Sequence, residues 1–178
     1  MTKAELAECI DAYGTDIYSF CAYLTGSRQE AEDLYQDTFL KAVELRETIK
    51  ADQNPKSYLL AVAVRIWKNK RRKFAWRKRI AQVQTLTEEK EIQSCGETEQ
   101  SAEAQYLRKA DLQAVRAAVE ALPDRYRAVV LLFYMEGMAV AQIAAVMKIP
   151  EGTVKSRLYH ARRILEKELE VVLNEKRP

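Results

Sequence analysis

The stretch from Gly137 to Leu165 constrains the fold of this chain most, because its pattern is that of two short helices separated by a sharp break. The break is predicted at Pro150, since proline disfavours helix in the residue before it and suits the first position of the next helix. Ahead of the break, apolar side chains recur at the spacing of one helical face: Val140, Ile143, Ala144 and Met147. This first helix is therefore predicted to pack one face against a core.

The second helix of this stretch combines a narrow apolar stripe with a basic outer face. Val154, Leu158 and Ala161 recur at i, i+4 and i+7 and are predicted to face inward. Cationic and hydrogen-bonding side chains lie on or beside the opposite face: Lys155, Ser156, Arg157, Tyr159, His160 and Arg163. Two short helices with such an outer face indicate a helix-turn-helix, although a helical hairpin with a solvated charged face has the same pattern.

Charge is distributed unevenly along the chain, although the formal net charge is only +3. Residues 1–64 hold eleven acidic and six basic side chains, residues 65–79 hold nine basic and no acidic ones, and residues 88–103 hold six acidic and one basic. A local basic block makes phosphate contacts whatever the total charge, so nucleic acid is the expected partner. Phe74 and Trp76 lie within this block, where they suit stacking on exposed bases or, alternatively, return to the core.

The composition argues against several other classes of protein. No apolar run approaches the roughly 20 residues that cross a membrane, and the mixed, charged N-terminal stretch is unlike a signal peptide. The three cysteines are widely spaced, which does not suggest a disulfide framework or a zinc cluster. His160 is the only histidine. A cytoplasmic protein without a metal or a cofactor is the simplest interpretation.

Helical periodicity extends over most of the chain, and few segments alternate as strands do. Helices are predicted over residues 4–24 and about 28–48. Ser27 and Glu30 have the spacing of a capping box at the start of the second helix. A third helix is predicted to begin with Ser57 as its cap, and it continues into the basic block.

The helical pattern is interrupted once by a long polar segment. Residues 81–105 are predicted to form a flexible acidic linker, because they are polar and lack periodicity. The helical pattern resumes at Leu107 and is divided again at Pro123. We therefore expect an all-α fold of two small helical domains, residues 1–80 and 106–178, with the helix-turn-helix in the second domain.

Three segments of the chain carry a resemblance to a known family. They are SRQEAEDLYQDTFLKA at 27–42, PKSYLLAVAVRIWKNKRRK at 55–73 and ALPDRYRAVVLLFYMEGMAVAQIAAVMKIPEGTVKSRLYHARRIL at 121–165. Together they resemble bacterial RNA polymerase sigma factors of the extracytoplasmic-function (ECF) group. The segments occur in the same order as in that family, and an acidic linker separates the last of them from the other two, as it does in the family. The resemblance implies a subunit without catalytic activity that binds core RNA polymerase and directs initiation at specific promoters.

The resemblance also assigns an interface to each part of the chain. In the N-terminal domain, the acidic face of the second helix would dock on the clamp helices of the largest polymerase subunits through Glu32, Asp33, Gln36, Asp37 and Lys41. At the minus-10 element, a flipped base would be held by Asn54, Ser57, Tyr58 and Arg65. The phosphates nearby would be contacted by Lys68, Lys70, Arg71, Arg72 and Lys73. In the major groove of the minus-35 element, the contacts would come from Thr153, Lys155, Ser156, Arg157, Tyr159, His160 and Arg163.

Family members are usually held inactive by a membrane-linked anti-sigma factor. The resemblance therefore implies such a partner, a response to envelope or extracellular stress, and a cytoplasmic location that is near the membrane while the anti-sigma factor is bound. It implies no cofactor, metal or small-molecule substrate.

The chain departs from the family pattern in both domains. Tyr58 stands where a Trp is frequent, and Val64-Arg65 stands where Arg-Asn is common, so the minus-10 sequence does not carry over from the family. Ala139 stands where a Ser or Thr cap is usual, and loss of a cap costs about 1 kcal/mol. Lys148 stands where Gly is frequent, which predicts a slightly different turn.

Two other functions are compatible with parts of the sequence pattern. A stand-alone helix-turn-helix repressor or activator would dimerise and bind its operator without polymerase. A nuclease would need a clustered carboxylate metal site, and Asp33 with Asp37 at i, i+4 supplies a single pair of ligands. The position of the basic block within the N-terminal domain disfavours the first alternative, and the absence of a convergent set of acids and bases disfavours the second.

Overall fold

The computed structural model describes the backbone of residues 3–45, 54–80 and 102–175, and the side chains of residues 7–45, 54–80 and 111–170. These ranges contain seven α-helices and no strand, which confirms the predicted all-α fold. The helices are α1 (Lys3–Thr25), α2 (Arg28–Glu44), α3 (Pro55–Ile80), α4 (Ala102–Ala121), α5 (Asp124–Val130), which continues as a π-helical turn over Leu131–Met135, α6 (Val140–Met147) and α7 (Glu151–Glu175).

Two predicted features lie outside the described residues: the end of the second helix at 48, and residues 81–101 of the linker, which include Cys95. The chain forms two compact units, one built on α1, α2 and α3 and the other containing α4, α5 and α7. Helix α4 begins at Ala102, earlier than the predicted start of the second domain at residue 106. None of the described helices is both long enough and apolar enough to cross a membrane.

The N-terminal unit is a bundle in which α1, α2 and α3 pack against one another. The two helices α1 and α2 approach closely at Gly14, because a Cβ there would lie only 3.0 Å from the hydroxyl oxygen of Tyr35. The Tyr35 ring in turn meets the rings of Tyr18 and Phe39 edge-on. The buried positions of α2 recur at the spacing of one helical face: Ala31, Leu34, Thr38, Phe39 and Ala42. This packing fixes which face of α2 remains at the surface.

The connection between α1 and α2 follows the predicted start of the second helix. Gly26 adopts a left-handed backbone with φ of 69°, and its N–H donates to the carbonyl of Ala22 at 2.9 Å. Ser27 is the N-cap of α2, and its side-chain oxygen accepts the backbone N–H of Glu30 at 3.5 Å. The glycine thus ends one helix, and the serine satisfies an otherwise unpaired N–H group at the start of the next.

In the C-terminal unit, α7 packs against α4 and α5. Leu122, Val130 and Ala161 form a buried cluster. The buried Arg127 joins α4 to α5, because its Nη2 donates to the carbonyl oxygens of Glu120 and Leu122. A cation at this position also complements the negative end of the α4 dipole. The helix break predicted at Pro123 is therefore confirmed, and the buried Arg127 guanidinium connects the two sides of this break.

The turn between α6 and α7 is a Schellman motif centred on Lys148. The N–H of Lys148 donates to the carbonyl of Ala145 at 3.3 Å, and the N–H of Ile149 donates to the carbonyl of Ala144 at 3.1 Å. These are the two bonds that define the motif. Lys148 has a φ of 52°, in the left-handed region where a side chain is strained and glycine is not. The turn of the helix-turn-helix is thus the usual glycine turn, made here with a lysine.

The start of α6 and the two predicted apolar stripes complete the helix-turn-helix. Gln142 compensates for the alanine at the N-cap, since its Oε1 accepts the N–H of Ala139 at 2.9 Å. This is the half of a capping box that reaches back from the third helical position. The inward positions are buried as predicted at Ile143, Met147, Val154, Leu158 and Ala161. The apolar positions of α7 therefore leave its opposite face at the surface.

We predict that Lys148→Gly raises the free energy of unfolding of the C-terminal unit by about 0.5–1 kcal/mol, because glycine enters the left-handed region without a Cβ penalty. Lys155→Gly is the matched control. It places glycine in the right-handed interior of α7 and is expected to cost about 1 kcal/mol. Urea unfolding of the full chain, followed by circular dichroism, measures both. A loss of stability in Lys148→Gly would contradict the assigned turn.

Candidate functional surfaces

The acidic face of α2 lies at the surface of the N-terminal unit. Of the five residues predicted to contact polymerase, Asp37 is partly buried, and the others are exposed: Glu32, Asp33, Gln36 and Lys41. Glu32 is paired within the helix with Arg28 at 3.0 Å, and Lys41 is paired with Glu44 at 2.6 Å. Because these pairs are exposed, each contributes little to stability. The face is therefore accessible, and its charges are arranged by the helix itself.

Asp37 differs from its neighbours, since its partner comes from another helix. Its Oδ2 lies 2.6 Å from Nζ of Lys70 in α3. Lys70 was predicted to contact DNA and Asp37 to contact polymerase, so the structure joins two residues that the sequence placed on separate surfaces. Burial raises the pKa of the nearby Cys21 thiol to about 12, and the positive charge of Lys70 acts in the opposite direction. The Lys70 ammonium thus bridges α3 and α2.

Asn54 caps the third helix, which corrects the predicted cap at Ser57. Helix α3 begins at Pro55, and Oδ1 of Asn54 accepts the N–H groups of Lys56 at 3.0 Å and of Ser57 at 3.4 Å. Proline is favoured at the first helical position and asparagine just before it. Ser57 therefore lies inside the helix. Lys56 also pairs with Asp16 of α1 at 2.6 Å, which ties the start of α3 to the bundle.

The other residues predicted to contact the minus-10 element follow along α3. Ser57, Tyr58 and Arg71 are partly buried, and the remaining members are exposed: Arg65, Lys68, Lys70, Arg72 and Lys73. Farther along the same helix, Phe74 and Trp76 are 61% and 63% exposed. Their return to the core is therefore the wrong alternative. The second half of α3 presents aromatic rings and cations together at the surface.

The outer face of α7 presents most of the predicted minus-35 residues to solvent. Thr153 and Arg157 are partly buried, whereas the others are exposed: Lys155, Ser156, Tyr159, His160 and Arg163. The Arg163 guanidinium lies 6.0 Å from the centre of the Tyr159 ring, and the His160 ring lies 5.5 Å from that ring. One helix thus carries cations, a hydroxyl and aromatic edges on a single exposed strip.

This strip continues onto α5 through two residues that the sequence did not single out. The ring of Tyr126 lies 6.3 Å from that of His160, and Arg125 lies 4.6 Å above the Tyr126 ring. Arg125 is exposed, and a guanidinium over a ring is held by the ring's negative face. The motif LPDR could have pointed to Arg125, but its placement beside His160 depends on how α5 packs on α7.

The described part of the chain holds no group of three or more His, Cys, Asp or Glu residues arranged to bind a metal ion. Within the acidic face, Asp37 is directed to Lys70 rather than toward a shared site with Asp33. Most of the charged residues described above are exposed and thus form surfaces. Such surfaces suit contact with macromolecules.

Two family models match the chain, one in each unit. Residues 9–77 match sigma-70 region 2, and residues 112–165 match sigma-70 region 4. The chain is 31% identical over 156 residues to SigL of Mycobacterium tuberculosis, an ECF RNA polymerase sigma factor, and the match covers 87% of this chain and 83% of SigL. It is 27% identical over 167 residues to SigW of Bacillus subtilis, which covers 92% and 88% of the two chains.

A similar architecture is found in the solved structure of the sigma factor RpoE from Bartonella quintana, in complex with the anti-sigma factor NepR. The TM-score is 0.75 at 24% sequence identity, and the match covers 94% of this chain and 98% of RpoE. Matches of this extent define a sigma factor with regions 2 and 4. The chain belongs to the ECF RNA polymerase sigma factors. It is therefore a specificity subunit of RNA polymerase without catalytic activity of its own, as the resemblance implied.

We predict that Asn54→Ala lowers the free energy of unfolding by about 1 kcal/mol, because two N–H groups at the start of α3 lose their acceptor. Asn54→Asp is the matched variant, since aspartate caps a helix as well as asparagine does. It should retain stability close to that of the original chain. Urea unfolding without DNA separates this capping role from any contact with a base. Equal free energies of unfolding of the original chain and Asn54→Ala would show that Asn54 does not stabilise α3 as a cap.

Proposed function

We propose that this ECF sigma factor reads the minus-35 element of its promoters with the outer face of α7. The observation that carries the proposal is the exposed strip that contains Lys155, Ser156 and Arg163 on one helix of a helix-turn-helix. A major groove admits an α-helix, in which lysine and arginine reach guanine and serine reaches either base type. Tyr159, His160, Thr153 and Arg157 extend the contact along the same helix.

The start and the exposed length of α3 are proposed to recognise and melt the minus-10 element. Extrusion of a base costs a few kcal/mol, which contacts to the base and to the backbone must offset. Ser57 and Tyr58 lie just after the cap of α3, and Arg65 lies about two turns beyond Tyr58. Asn54 adds its amide group where the cap leaves it accessible. The exposed Phe74 and Trp76 are suited to stack on single-stranded bases between the cations that contact phosphates.

The acidic face of α2 is proposed to dock on the clamp helices of the largest subunits of core RNA polymerase. Carboxylates on a rigid helix pair with a basic partner surface and set orientation and association rate more than raw affinity. The residues are Glu32, Asp33, Gln36, Asp37 and Lys41. This division assigns polymerase binding to α2 and promoter contacts to α3 and α7.

We further propose that an anti-sigma factor controls this chain. The solved RpoE structure with a similar architecture is a complex with an anti-sigma factor, and this complex is what supports the proposal. A membrane-linked partner would keep this cytoplasmic protein near the membrane until envelope or extracellular stress releases it. Isolation of complexes from stressed and unstressed cells tests this proposal, and recovery of polymerase alone in both would contradict it.

Run-off transcription tests the proposed function as a whole. Core polymerase is supplied with a library of genomic fragments, with and without this protein. Transcripts that start at specific promoters only when the protein is present support the proposal, and alignment of their upstream sequences gives both elements. Specific binding of the protein alone to duplex DNA, with no such transcripts, would indicate a repressor-type regulator instead.

We predict that Lys155→Ala weakens binding of the holoenzyme to the minus-35 element by about 1–3 kcal/mol and leaves polymerase binding unchanged. Asp37→Asn should weaken polymerase binding and leave binding to the minus-35 element unchanged, because it removes a charge from the docking face and none from α7. Lys167→Ala, which removes an exposed lysine farther along α7, is the control for loss of charge. Fluorescence anisotropy with labelled promoter DNA and with core polymerase measures the two affinities. Loss of polymerase binding in Lys155→Ala would contradict this division.

We also predict that Arg125→Ala weakens promoter binding by a similar factor on every promoter sequence, because Arg125 lies on α5 and not on the helix that is proposed to read base edges, so a phosphate contact is expected of it. The slope of log affinity against log salt should fall by about one unit. Tyr126→Leu should reproduce part of the loss, since it removes the ring under the guanidinium, and Tyr126→Phe should not. A loss restricted to one base pair of the minus-35 element would contradict a phosphate contact.

A further inference from the structure

Lys70 occupies an unusual position among the cations of α3. It belongs to the basic block, yet its Nζ lies 2.6 Å from Oδ2 of Asp37, and the two side chains are 47% and 45% exposed. Asp37 stands on the acidic face of α2, among the residues proposed to dock on polymerase. One ion pair therefore connects the docking surface with the DNA-binding helix inside a single compact unit.

The charge of the same ammonium group also acts on the pKa of the Cys21 thiol. Cys21 lies on α1 and is fully buried, and Lys70 is near enough for its charge to oppose the effect of burial on the thiol. The Lys70 side chain reaches from α3 to α2, where it meets Asp37. Lys73, three residues farther along α3, is exposed and carries the same charge.

The chemistry of docking sets up a competition at Asp37. A basic surface that approaches α2 must pair with the same carboxylate that Lys70 already neutralises. Glu32 has a comparable partner, but that partner, Arg28, belongs to α2 itself and moves with it. Lys70 instead belongs to the helix that is proposed to contact promoter phosphates, so displacing it changes a second surface.

We propose that Lys70 masks Asp37 in the free chain and is released toward promoter phosphates when polymerase takes its place on that carboxylate. The proposal rests on the docking role of α2 described above. It makes Lys70 a positioning residue that acts through Asp37 before docking and a phosphate contact afterwards. Polymerase binding and DNA binding are then coupled through one ammonium group.

Affinity for core polymerase tests the masking step. Lys70→Gln in the full chain should bind core polymerase about two- to fivefold more tightly, the range expected when an exposed ion pair no longer competes. Lys73→Gln makes the same change of charge on the same helix and should leave this affinity unchanged. Lys70→Arg keeps the pair and should match the original chain. An affinity of Lys70→Gln that equals or falls below that of Lys73→Gln would overturn the proposal.

A double-mutant cycle separates failure of the masking from failure of the docking surface. Asp37→Asn should weaken polymerase binding more in the Lys70→Gln chain than in the original chain, because the carboxylate is unmasked there. If Asp37→Asn has no effect in either chain, the docking role of this carboxylate is wrong. If it weakens binding equally in both chains, docking stands and the masking is wrong.

Binding to DNA tests the release step. Lys70→Gln should lower the DNA affinity of the free chain less than Lys73→Gln does, because Asp37 competes with phosphate for Lys70 there. It should lower the salt slope of the holoenzyme by about one unit, since one phosphate contact is lost. Lys73→Gln should lower DNA affinity in both states. A loss of DNA affinity for free Lys70→Gln equal to that of free Lys73→Gln would show that Lys70 is available without polymerase and would overturn the proposal.

Discussion

The burial of the first half of α3 against α1 and α2 is the interaction on which both N-terminal surfaces depend. Leu59, Leu60, Val64 and Trp67 are buried there, and each large apolar side chain contributes about 1.5–3 kcal/mol when it leaves water. Because a helix continues its own direction, this packing also aims the exposed second half of α3, with its cations and aromatic rings. The same core orients α2, so the acidic face and the basic block are held side by side.

Much of the fold could be predicted because a helix repeats its inward positions every three or four residues. The stripes of α2, α6 and α7 follow directly from that repeat, and so does the outward direction of residues such as Ser156 and Tyr159. The start of α3 was assigned wrongly to Ser57, although the order Asn54-Pro55 contained the better signal. Serine and asparagine both cap helices, and the proline after Asn54 decides between them.

The exposure of most candidate residues could be predicted from helical periodicity, whereas the contacts between them could not. Asp37 and Lys70, like Tyr126 and His160, are far apart in the sequence, and no local spacing rule brings them together. Their approach depends on which helix faces pack, and packing responds to the whole set of buried side chains. The exposure of Trp76 has the same origin, because burial of a side chain depends on what packs against it and not on its own type alone. Composition could only leave both alternatives open.

In the folded N-terminal unit, acidic and basic segments that are separate in the sequence lie on two helices that pack together, α2 and α3. An acidic helix and a basic helix that pack together partly neutralise each other, and exposed pairs of this kind are weak enough to be exchanged for pairs with a partner. A strong buried pair at Asp37 would hold the chain in one state, because breaking it would leave an uncompensated charge. A half-exposed pair permits exchange at small cost. The surface placement of Asp37 and Lys70 is therefore what allows one carboxylate to serve the free chain and the polymerase complex in turn.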